Sequence, residues 1–145
     1  MPYKKRYFLI LLVMMTTGLI SLIWLEYHRT PKKVTLTTET EIRVQAKDLL
    51  ASFLTDEASA NKKYVERIIE VQGIVKEITF FNNRYTVLLQ GDGEYVCIMC
   101  DMEDDQQSQV EKLSVGDPII LKGICKGFLM DAILLNCVLV NQANE

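Results

Sequence analysis

Residues Ile68–Phe80 read "IIEVQGIVKEITF". Ile68, Ile69, Val71, Ile74, Val75, Ile78 and Thr79 are β-branched, the composition of a strand. Gly73 interrupts them. A glycine inside a strand marks a bulge or a sharp bend, because without a Cβ the backbone turns freely and is approached closely. A long strand bent in this way pairs with different neighbours along its two halves, which is what closing a small β-barrel requires.

The segments on either side fit that reading. Downstream, "FNNR" is a turn, since Asn82-Asn83 tolerates positive φ. Tyr85–Gln90 and Glu94–Cys100 are two more strands joined by "GDG". "MEDDQQSQVEKL" is a short helix in which Asp104 serves as N-cap and Gln107, three residues on, completes a capping box. "SVGD" breaks the chain, and Asp117–Lys126 and Ala132–Val140 are the last strands. Upstream, Val44, Leu49, Leu50, Phe53 and Leu54 fall at helical spacings around Lys47 and Asp48, predicting an amphipathic helix over Glu41–Phe53. "TDEASANKKY" ends that helix or adds a second short turn. The expected architecture is mainly β: a five-stranded oligonucleotide/oligosaccharide-binding (OB) barrel in the order β-β-β-α-β-β, preceded by an amphipathic helix.

The N-terminus is of another kind. Tyr7–Leu25, "YFLILLVMMTTGLISLIWL", is an uncharged run of 19 residues. At about 1.5 Å per residue it crosses a hydrocarbon core of roughly 30 Å. Lys4, Lys5 and Arg6 precede it, and Trp24 and Tyr27 sit where an interfacial aromatic belt belongs. A cleaved signal wants a shorter apolar core and a small-x-small site. "EYHRTPKK" supplies none, and the first cysteine, Cys97, is far too late for lipid attachment. We therefore expect an uncleaved single-pass anchor in the cytoplasmic membrane, N-terminus inside. The expected division is a basic cytoplasmic tail (1–6), an anchor (7–25), a polar tether (26–42) containing "TPKKVTLTTET", and an extracytoplasmic OB domain (43–145).

Charge narrows the partners. From Val34 onward ten Lys and Arg stand against eighteen Asp and Glu, a net charge of −8. A nucleic-acid binder neutralises phosphates with clustered Lys and Arg, and no such cluster is present. Catalytic signatures are missing as well: the one histidine, His28, lies beside the anchor, and there is no nucleophile elbow or phosphate loop. The expectation is a non-enzymatic chain without a cofactor.

The cysteines carry three readings. Cys97 and Cys100 have half the spacing of a zinc site, but residues three apart in a strand point to opposite faces, so no metal is expected. The "DMEDD" cluster lacks the oxygen spacing and glycine of a calcium loop. In a hairpin turning at "GFLMD", Cys125 faces residue 132 or 133 and Cys137 faces about residue 120. That separates them by more than ~10 Å, beyond the reach of about 7 Å that a disulfide needs, so a bridge between them requires an irregular hairpin. A bridge from Cys97 to Cys125 or Cys137 stays open, as does the reading that these thiols simply fill the barrel.

The chain also resembles the tRNA_anti-like family of bacterial OB-fold proteins over Ala46–Leu139. The likeness is carried by "AKDLLASFLTDEASANKKYVERIIEVQGIVKEI", by Cys97 and by "LSVGDPIILKGICKGFLMDAILLNC", with Gly116-Asp117, Gly123, Cys125, Gly127 and Cys137 as its pattern. It implies a small exported or membrane-anchored barrel. This chain departs from the family in lacking a lipidation cysteine and in having Cys100.

OB barrels bind ligands on their second and third strands, flanked by the first-to-second and fourth-to-fifth strand loops. Here these elements offer Phe80 and Phe81, then Phe128, Leu129 and Met130, with Tyr85 and Tyr95 on the strands between. Either these residues plug the barrel ends, or they meet a partner. An apolar patch with an acidic rim suits a protein or peptide of the cell envelope. The alternatives are nucleic-acid or oligosaccharide binding by the barrel face, and a thiol-dependent role of Cys97, Cys125 and Cys137.

Overall fold

The computed structural model describes residues 2–27, 33–91, 93 and 95–142, in two units, Met1–Lys32 and Lys33–Glu145. The first unit is one helix, α1 (Pro2–Tyr27, 26 residues), about 39 Å long. It has no polar face: Phe8, Met14 and Leu22 are all about 70% exposed. Thr16, Thr17 and Ser21 return their hydroxyls to the carbonyls of Val13 and Gly18, so they need no water. Among the described residues no helix is long and apolar enough to cross a membrane; the side chains of Leu9 and Leu25, part of the uncharged run, lie outside that description.

The second unit begins with β1 (Ile42–Gln45), α2 (Ala46–Thr55) and α3 (Glu57–Tyr64). It continues with β2 (Ile68–Phe81), β3 (Arg84–Gln90) and β4 (Cys97–Met102). A 3-10 turn (Asp104–Gln106) leads into α4 (Gln107–Val110), and β5 (Pro118–Phe128) and β6 (Ala132–Gln142) complete it. Ile68–Ile74 of β2 pairs with β5, and Val75–Phe81 pairs with β3. From there β3 pairs with β4, β4 runs parallel to β6, and β6 returns to β5, closing a five-stranded barrel. The switch falls where the sequence places Gly73. A Cβ there would lie 3.0 Å from the Ala46 Cβ and 3.3 Å from the Leu89 Cβ, so a side chain would crowd α2 and β3 where glycine lets them come this close. The β2–β3 connection is a two-residue hairpin turn with φ of 48° at Asn82 and 63° at Asn83, as their tolerance of the left-handed region predicts.

Both barrel ends are plugged. Leu49, Leu50 and Phe53 of α2, spaced for one helix face, close the end where β3 finishes and β4 starts. Val110 of α4 and the following Leu113 close the other. Asp56 ends α2 and caps α3, accepting from the Ser59 amide at 3.1 Å and the Ser59 hydroxyl at 2.7 Å.

Four expectations need correction. Ile42–Gln45 is not helical but a strand parallel to β2, with Ile42 and Val44 half-buried and Arg43 and Gln45 exposed; alternation with period two outweighs helical spacing there. Residues 33–41, expected in the tether, are strapped to the barrel. Val34 is fully buried with Ile68, Ile124 and Val138, and the buried Lys122 donates its ammonium to the carbonyls of Leu36 (3.1 Å) and Thr38 (3.0 Å). Residues 28–32 lie outside the description. Asp104 is no cap: the 3-10 turn starts from Glu103 without a side-chain bond. Gln106 ties this segment down instead, its Oε1 accepting from the Leu139 amide at 3.0 Å. Finally, β5 and β6 are offset from the expected register. Cys125 faces Leu134, and Lys122 faces Val138, because the turn closes at Phe128 opposite Ala132, one residue later than expected; three irregularities, one beside Gly127 with φ of 120°, then shift the pairing by single residues.

Candidate functional site

The structure separates the predicted surface residues into two groups at opposite ends of the β3–β4 pair. Thr86 faces Asp101 at one end and Gln90 faces Cys97 at the other. The ends are therefore about 13 Å apart.

The first group is the projecting hairpin. Phe80 and Tyr85 are cross-strand partners with ring centroids 4.6 Å apart. Phe81, on the opposite face, is 77% exposed. The Tyr85 hydroxyl donates to Glu111 Oε1 at 3.1 Å; desolvation first, and Glu111 second, hold the phenol above its ordinary pKa. The cation beside the hairpin turn is already neutralised, since Arg84 Nη2 lies 3.1 Å from Asp101 Oδ2 and Nε lies 3.9 Å from Asp104. No basic platform for phosphates forms around these rings.

At the second end the Asp131 carboxylate accepts from the Cys97 amide at 2.7 Å, which fixes the β5–β6 loop against the start of β4. The loop tip is Leu129 and Met130, both more than four-fifths exposed. Phe128 turns inward and stacks on Phe53 at 5.5 Å and 12°, so it belongs to the plug under α2. Tyr95 is 89% exposed and lies in the β3–β4 connection, outside β4, which starts only at Cys97. Beside it runs an open, mostly apolar cleft of about 390 Å³, between Lys47, Leu50, Ala51, Leu54 and Thr55 of α2 and Gly93, Tyr95 and Val96. Leu54, 62% exposed, was read in the sequence only as part of the helical stripe. Its surplus over Leu49, Leu50 and Phe53, which already fill the buried face, is the signal that marks it. A second cleft of about 500 Å³ beside β1 is polar and carries both signs of charge in Arg43, Lys63, Asp48 and Glu70.

All four cysteines are free thiols and buried. The set Cys97, Cys125 and Cys137 is not the grouping the fold makes. Cys97 Sγ accepts from the Lys76 ammonium at 3.2 Å, while Cys137 lies beside Cys100. Burial pushes the thiols of Cys125 and Cys137 up, Cys137 well above the ordinary range. Among the described residues no three His, Cys, Asp or Glu side chains come together to hold a metal.

A closed barrel in the order β2-β3-β4-β6-β5, with a helix between its third and fourth strands and exposed aromatics beside its second and third, is an OB-fold domain. The chain matches the tRNA_anti-like family over residues 1–139 and belongs to it. The match takes in the N-terminal run as well as the barrel. No curated protein matches the chain. Among solved structures it is similar to a lipoprotein from Klebsiella pneumoniae, named for a proposed nucleic-acid-binding role, at 17% identity and a TM-score of 0.55, covering 68% of this chain and 92% of that one. It also resembles asparaginyl-tRNA synthetase from Pyrococcus horikoshii (10% identity, TM-score 0.45, 56% of this chain and 20% of that one). A third similarity is to an OBody bound to hen egg-white lysozyme (17% identity, TM-score 0.41, 57% and 84%).

Proposed function

We propose that this chain is a non-enzymatic binding module of a bacterial envelope, held by α1 in the cytoplasmic membrane with its barrel outside. Its partner is a protein or peptide that places an apolar side chain in the cleft beside α2. The cleft carries the reading. One of its walls, α2, is packed on the barrel, and Cys97, just past Val96 on the other, is held by Asp131. Its volume of about 390 Å³ falls within the range of about 300–1,000 Å³ typical of binding pockets, and Leu54 and Tyr95 stand exposed at its edge. Anchoring is supported by the uncharged run Tyr7–Leu25, by the basic residues before it and by self-satisfied hydroxyls in α1.

The nucleic-acid role named for the Klebsiella protein is not carried over. A net charge of −8 from Val34 onward, with Arg84 already committed to Asp101, opposes phosphate binding. The test is photo-cross-linking of the full chain in native membranes, with the reactive group at Leu54, Tyr95 or, for comparison, Phe81. Protein adducts at Leu54 and Tyr95 are expected. Adducts at Phe81 alone would move the partner to the hairpin, and tight binding of single-stranded oligonucleotide at physiological salt would replace the reading altogether. Alkaline carbonate washing of the membranes should leave the chain in the pellet; release would remove the anchor.

A further inference from the structure

Two apolar tips stand out from the barrel, and the path of the chain tells them apart. One is the β2–β3 hairpin, where Phe81 is 77% and Phe80 52% exposed. Phe81 and Arg84 form the last β2–β3 pair, two residues past Thr86, where pairing with β4 ends. The tip therefore projects about 7 Å beyond that point. The other tip is Leu129 and Met130, at the opposite end of the β3–β4 pair. Lys33, the first described residue of this unit, marks where the chain enters it. Its ammonium lies 3.4 Å from Asp105, while Asp104, the residue before, and Asp101 face the Arg84 guanidinium. Entry point and hairpin turn thus share one end of the barrel, joined by adjacent aspartates. From Tyr27, the last described residue of α1, six peptide links reach Lys33, at most about 22 Å of extended chain.

We propose that the hairpin tip docks on the lipid bilayer, with the Phe81 ring at the boundary between headgroups and acyl chains. The inference rests on α1 being the membrane anchor. Exposed apolar tips mark protein or membrane contacts, and the short tether selects the membrane for this one. Phe81 carries no polar group that lipid would leave unsatisfied. Lys33 and Arg84 answer Asp101, Asp104 and Asp105, so these three carboxylates do not meet an anionic surface unpaired. Docked in this way, the barrel turns its far end away from lipid, and with it the cleft beside α2 where a partner binds.

Trp24 is the chain's one tryptophan and lies in α1, so one experiment separates the anchor from the docking. The full chain is placed in nanodiscs of phosphatidylethanolamine and phosphatidylglycerol, with and without a phospholipid brominated at the top of its acyl chains. Bromine quenches tryptophan on contact. The wild type reports α1; a Trp24→Phe, Phe81→Trp variant reports the hairpin; a Trp24→Phe, Leu129→Trp variant reports the other tip. Both new probes replace exposed side chains, which the barrel tolerates. Quenching is expected in the first two proteins and not in the third, with a blue-shifted emission from the hairpin probe. Quenching of Trp24 without quenching at position 81 would overturn the proposal and leave the anchor standing. Equal quenching at positions 81 and 129 would overturn it as well, since lipid would then meet either tip. An unquenched Trp24 would remove the anchor, and the docking with it.

Discussion

Lys122 is the most committed polar side chain in the barrel. It is 5% exposed and sits in β5 opposite Glu70 of β2, and both of its observed hydrogen bonds go to carbonyls of the strap, Leu36 and Thr38. Replacing it with Met keeps the aliphatic stem but removes the donor from those carbonyls. The expected cost is about 1–3 kcal/mol, read as a lower denaturation midpoint, with increased proteolysis before Ile42. Gly123→Ala brings a methyl into Cys137 Sγ and within 3.2 Å of the Leu135 carbonyl. Such overpacking costs about 1–3 kcal/mol, and a Cys137→Ala background should recover part of that loss in a double-mutant cycle. The buried thiols also set the alkaline limit of the reduced protein. Cys125 and Cys137 hold their protons more tightly folded than unfolded, for reasons of desolvation first. Above an unfolded thiol pKa of about 8.5, the unfolded chain binds fewer protons than the native one, so stability is full below that pH and declines as pH rises beyond it. Urea titrations of reduced protein from neutral to alkaline pH should show the decline, and Cys125→Ala, Cys137→Ala should flatten it.

At the scale of elements, the hairpin was legible because its cause is local. Asn82 and Asn83 occupy positive φ, and replacing both with Val should cost about 1–2 kcal/mol per position, seen as a lower melting temperature without loss of the barrel signature in circular dichroism. The helix α2 was legible as an amphipathic stripe, but the strand that replaces its first five expected residues was not, because the alternation of Ile42 and Val44 is too short to stand out beside the helical stripe that follows. Only the neighbouring edge of β2 decides between them. The cleft illustrates the same limit. Leu54, Tyr95 and Val96 come from α2 and from the β3–β4 connection, far apart in the chain, and no spacing rule joins them. Leu54→Glu should leave the denaturation midpoint within about 0.5 kcal/mol of wild type, as surface changes do, while abolishing cross-linking from Tyr95. A large loss of stability would instead mark Leu54 as part of the plug.

For the molecule as a whole, strand order and barrel closure could be read from one bent strand and its turns, since Gly73 marks where β2 changes partners. The strap could not. Val34 is one apolar residue in a Thr-rich stretch, and its burial depends on a pocket that Ile68, Ile124 and Val138 assemble from three different strands. This segment gives the protein a mechanical property. A pull applied from the N-terminal side meets the eight residues Val34–Glu41 before any barrel strand, and they are held there by one buried valine, the lysine clamp, the bond from Thr40 to Glu70 and two bonds between Glu41 and Ile68. These contacts bear load in sequence and yield one after another, whereas the closed barrel must give way all at once. In a single-molecule pull the strap is therefore expected to part before the barrel. When it parts it releases roughly 25–30 Å of chain and spares the fold behind it.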